Sequence, residues 1–260
     1  MAFIDFLAFQ EALLLIATAI VGFVGLSVWW AMRRNDAAGV KSALKAGAVP
    51  IGALGVIATI LAVWAEETWP FPAIPGTNLA SYNVLFTDVY LLFGMTLVIL
   101  AITMAFQLKL AYVGLFAFVA GAITAGYGWN GYILNMTKDP LETFLMYLAF
   151  AGVGIFSLPA TLMTDHFLAH PDGTAFAFSV GTPAARSRPS IQSASRAVQP
   201  VVPGVSPGSA EPAATPAAKF HLPAYVTAYT WFFIGVVGIA GYAAFAYLLA
   251  TLPGHLIAAP

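Results

Sequence analysis

The chain has 260 residues, 60% of them hydrophobic and 8% charged, with a formal net charge of −1 and no cysteine. An ordinary soluble domain carries about 25% charged residues, so this is the composition of an integral membrane protein. Disulfides, thiolate metal sites and cysteine nucleophiles are excluded.

The N-terminus, MAFIDFLAFQEALLL, has no basic region ahead of its apolar run and no small-residue cleavage site, so it reads as a retained first helix rather than a signal peptide. Six segments are long enough to cross a hydrocarbon core of ~30 Å, which takes about 20 helical residues. They run Ala12–Ala31, Ala48–Ala65, Asn83–Phe106, Leu110–Trp129, Thr143–Met163 and Tyr225–Leu252. If these helices alternate in direction, nine of the ten basic residues fall on one side and only Lys138 on the other. The positive-inside rule then puts both termini outside the cytoplasm, in the cytoplasmic membrane of a prokaryote. Acids lean the other way, leaving −6 on the outer side and +5 on the inner. Trp64, Tyr127, Trp129 and Tyr132 form an outer aromatic belt, and Trp29 and Trp30 precede Arg33 and Arg34 on the inner rim.

The expected organisation is an all-α bundle of six transmembrane helices. Residues 1–163 form a five-helix unit, 164–222 a cytoplasmic Pro/Ala/Ser-rich linker, and 223–260 the sixth helix with a short outer tail. The linker has too few large apolar side chains to build a core and is expected to be disordered in isolation, with a neighbouring subunit the natural partner to hold it. No internal repeat is convincing, so an inverted-repeat transporter gains no support.

Along the third segment, SYNVLFTDVYLLFG places Asp88 about 7 Å below the helix start, at outer-leaflet depth. Asp88, Thr96, Thr103 and Gln107 fall within an arc of roughly 100°, one polar stripe that faces protein rather than lipid. It is either a proton or ion path entered through Asp88 or a set of helix-packing hydrogen bonds. Glu11, Glu66, Glu67 and Asn130 reach the same depth from three other helices, where carboxylates and amides can hold a cation, share protons, or simply meet water. On the inner side His166 and His170 are four apart, a spacing able to hold a divalent metal with Asp165 and, at the same surface, His221. Pro171 ends the helix there, and interfacial histidine is the plainer reading.

No histidine lies mid-span, so this chain alone supplies no haem ligand pair within the membrane, and no charged residue sits at mid-membrane. There is also no phosphate loop, dinucleotide fingerprint, nucleophile elbow or basic nucleic-acid patch. Neither intrinsic catalysis nor nucleic-acid binding is supported. Glycines at 22 and 25, 52 and 55, 121, and 235, 238 and 241 suit close helix packing, and Pro159 is expected to kink the fifth helix.

The run Tyr82-Asn-Val-Leu-Phe86-Thr-Asp88 entering an apolar helix, followed by a Gly-rich fourth helix and a kinked fifth, resembles a family of small archaeal and bacterial polytopic membrane proteins classed as a domain of unknown function. The resemblance covers roughly residues 10–165 and implies no activity. Two functional expectations follow from the residues. One is a non-catalytic integral subunit that scaffolds a larger membrane complex of respiratory or oxidase type, in contact with lipid and other membrane subunits. The other is a small channel or transporter for protons or cations, using Asp88 and the stripe.

Overall fold

The computed structural model describes residues 6–68, 70, 81–170 and 222–257. Six α-helices follow one another: α1 (Phe6–Arg33), α2 (Ala37–Thr68), α3 (Ser81–Ala105), α4 (Leu110–Ile133), α5 (Pro140–Ala169) and α6 (Ala224–Ile257). All six are long and apolar enough to cross a membrane, and no strand occurs among the described residues. His221, residues 171–220 of the Pro/Ala/Ser-rich linker and the tail 258–260 lie outside the described residues.

The helices outrun the apolar segments because caps, not hydrocarbon width, end them. Helix α2 begins at Ala37, eleven residues before its apolar run, where the Asp36 carboxylate accepts the Gly39 N–H at 2.7 Å. Lys41 and Lys45 on this first part are exposed. Three turns reuse one device. Asn35, Gln107 and Asn135 take left-handed φ values of 55°, 54° and 49°, each just past a helix end. The next N–H then bonds back five residues: Asp36 to the Ala31 carbonyl, Leu108 to Thr103 and Met136 to Gly131, at 2.9–3.0 Å. This closes the ends of α1, α3 and α4 without glycine. Gln107 therefore lies past the end of α3, so the expected stripe does not continue along the helix to that residue.

Each helix packs on its sequence neighbours, α6 returns to α1 to close a ring, and α2 also touches α5 across it. The pairs α4–α5 and α2–α3 approach most closely. A Cβ added to Gly154 would stand 2.5 Å from the Ala117 carbonyl oxygen, and one on Gly121 would stand 2.7 Å from that of Ala151. Gly55 and Gly94 repeat the arrangement between α2 and α3, each 2.7 Å from a backbone nitrogen of the other helix. Among the glycines expected to serve packing, Gly235 and Gly238 have nothing within 4 Å of such a Cβ. The hydroxyls beside Pro159 bond the carbonyls of Gly154 and Leu158, and the Tyr229 hydroxyl donates to the Phe156 carbonyl at 2.5 Å, tying α6 to α5 near that proline.

The outward faces are apolar. Phe23, Val49, Ile60, Ile239 and Tyr242 are all more than 60% exposed. So continuous an apolar periphery suits lipid rather than water.

Candidate functional site

Residues from all six helices line a partly open cavity of about 280 Å³. On α1 the wall residues include Leu7, Leu14, Val21 and Val28, the seven-residue recurrence of one helix face. Wall residues run from Leu7 to Met32 along this helix, ~37 Å at 1.5 Å per residue. The cavity is therefore elongated along α1. The cavity exceeds the ~150 Å³ at which a dry apolar cavity already binds benzene.

Aromatic side chains gather near each end of α1. Where α1 begins, Phe86, Tyr147 and Tyr247 cluster with Leu7, Leu85 and Met146. The buried Tyr147 hydroxyl donates to the Leu85 carbonyl at 2.5 Å, fastening α5 to α3 across that end. At the other end Trp29 meets Trp231 edge-on at 5.2 Å, with the Arg33 guanidinium 5.6 Å from the Trp29 ring.

Most hydroxyls on the walls are occupied by their own helices. Thr18, Thr96 and Thr124 donate to the carbonyls of Leu15, Leu92 and Ala120 at 2.7–2.8 Å, so their hydroxyl protons are used within their own helices. Three donors are different. Gln10, Trp29 and Tyr90 are buried wall residues whose Nε2, Nε1 and hydroxyl have no hydrogen-bond partner.

The residues singled out from the sequence do not gather at one place. Of the stripe only Thr96 lines the cavity; Thr103 is buried, and the Gln107 amide donates to the Met104 carbonyl at 2.7 Å. Asp88 sits away from the lumen, accepting the Tyr127 hydroxyl at 2.5 Å, and the Glu66 carboxyl also hydrogen-bonds it. Through Glu66, Asp88 and Tyr127, helices α2, α3 and α4 meet here. Glu67 and Asn130 are exposed, the latter bonded to its own helix at the Gly126 carbonyl. Glu11 is only 2% exposed and lines the lumen, one residue from Gln10.

Among the described residues no three His, Cys, Asp or Glu side chains are grouped to hold a metal ion. His166 and His170 are exposed, with ring centres 4.6 Å apart. Asp165 turns instead to the start of α4, accepting the N–H groups of Leu110 and Ala111 at 3.0 and 2.8 Å. The flanking residue Lys109 offers no side-chain cap, so Asp165 caps α4 from another helix.

Sequence reasoning missed Gln10, Tyr90 and Trp29 because polar and amphipathic residues near helix ends read as interfacial. The available signal was periodic: Gln10 falls on the face of Leu7, Leu14 and Val21.

Six helices long and apolar enough to cross a membrane, packed around a shared cavity, define an all-α bundle of membrane type. The family described as "Protein of unknown function (DUF981)" matches residues 1–177, and the chain belongs to it. No curated protein and no solved structure matches the chain. The match covers α1 to α5 and leaves α6, which closes the ring, outside it.

Proposed function

We propose that the chain is a non-catalytic, multi-pass membrane protein that holds an apolar molecule inside its ring of helices. The observation that carries this is the elongated cavity of about 280 Å³ walled by all six helices. Small-molecule sites are largely apolar enclosures with a few placed polar groups, and this lumen has that form. The charge asymmetry of the turns supports an orientation with both ends of the chain outside the cytoplasm. Ion conduction fits less well. Moving a bare ion through an apolar bore costs tens of kcal/mol in the continuum limit, and Asp88, Glu66 and Glu67 do not line it.

Solvent extraction of the purified full chain, followed by mass spectrometry, should recover an apolar compound in a fixed ratio to protein. Val21→Phe, which fills the bore from the α1 wall, should abolish that recovery while the helical circular dichroism stays unchanged. Equal recovery from both proteins would sink the reading.

A further inference from the structure

The lumen is polar in only a few places, and their placement describes an occupant. Gln10, 3% exposed, and Tyr90, 4% exposed, bring unpartnered donors to the end where α1 begins. Tyr90 packs in one cluster with Leu13, a turn further along α1 from Gln10. The third unpartnered donor, Trp29, lies 19 residues beyond Gln10, ~28 Å down the bore. Between them the walls are Leu14, Val21, Leu97, Leu100 and Val237, with hydroxyls turned onto their own carbonyls. Buried donors without acceptors are costly, and a ligand oxygen removes that cost. Gln10 Nε2 and Trp29 Nε1 can only donate and the Tyr90 hydroxyl can also donate, so the complementary ligand brings acceptors.

Charge narrows the class further. Glu11 lines the same end, so an acidic headgroup would place a second carboxyl in one apolar space, which is unfavourable.

Resting on the lumen reading above, we propose that the ligand is a neutral lipid with a hydrogen-bond acceptor at its head. Its head oxygen, a ketone, ester or alcohol, accepts hydrogen bonds from Gln10 Nε2 and the Tyr90 hydroxyl, and its tail runs toward Trp29. The juxtaposition of Gln10, Tyr90 and Glu11 at one end of an apolar bore ending at Trp29 carries this assignment.

The test uses the full chain in phosphatidylcholine vesicles and two photoreactive probes, hexadecan-2-one and hexadecane, each with a diazirine at the chain terminus. The ketone should label the lumen saturably, and Gln10→Leu should weaken its apparent affinity about threefold to tenfold, the worth of one hydrogen bond. Labelling by the alkane should not change in Gln10→Leu, which also shows that the variant is folded. Palmitate should compete with the ketone more weakly than hexadecan-1-ol does. If both probes label the lumen but Gln10→Leu alters neither, or palmitate competes as well as the alcohol, the head assignment is overturned while the lumen reading stands. If neither probe labels the lumen saturably, the lumen reading itself falls.

Discussion

Asp165 lies in the last turns of α5, yet its carboxylate serves the first turn of α4. Both oxygens accept backbone N–H groups that α4 cannot satisfy internally, and the bonds are charge-assisted. Replacing Asp165 with Ala should cost about 1–3 kcal/mol and lower the thermal midpoint, with Asp165→Asn losing less because one oxygen remains. Repeating the melt in chelator separates capping from metal binding, since a chelator-dependent midpoint would assign the residue to an ion. Sequence made Asp165 visible only as a neighbour of two histidines, because its partners are 54 and 55 residues away. Asp88 stood out for a simpler reason: a carboxyl in an apolar run is rare at any depth. What it faces, Tyr127 and Glu66 rather than the lumen, depends on the rotation of α3 against α2 and α4.

Between helices, contact is governed by small residues and by tight ends. Lipid offers apolar side chains as good a neighbour as protein does, so helix association relies on close backbone approach and interhelical hydrogen bonds. Gly154→Val should therefore cost about 1–3 kcal/mol or more by overpacking against Ala117 and Gly121. Gly238→Ala should instead be neutral or stabilising by up to ~1 kcal/mol, because nothing lies within 4 Å and alanine favours the helix. Chemical denaturation of the two variants checks the contrast, and equal losses would remove glycine packing as the cause. The six helices were legible as apolar runs of bilayer length, but their ends were not. A left-handed Asn or Gln and an Asp cap, rather than glycine or proline, set those ends at Asn35, Asp36, Gln107 and Asn135.

For the whole molecule, α6 decides whether a lumen exists, since it joins α5 to α1 and completes the wall. The family match stops before it, so the closing helix is the part of the architecture for which the match gives no guidance. Orientation is open to a clean experiment because the chain has no cysteine. A single cysteine at Leu134, 65% exposed in the α4–α5 turn, should react with a membrane-impermeant maleimide added to intact cells. One at Leu108, 57% exposed in the α3–α4 turn, should react only after permeabilisation. The reverse pattern would invert the proposed topology.

By itself the sequence determined the helical membrane-type class, the count of six helices, the family and the expected side of each turn. All of these depend on composition and on period along one strand of chain. Only the tertiary structure decided that the helices form a ring, that Gln10, Tyr90 and Trp29 face one bore, and that Asp88 does not. A helix's apolar residues face lipid and neighbours alike, so hydrophobicity leaves its rotation undetermined. Contacts between distant segments such as Gly121 with Gly154, Tyr147 with Leu85 and Trp29 with Trp231 fix it.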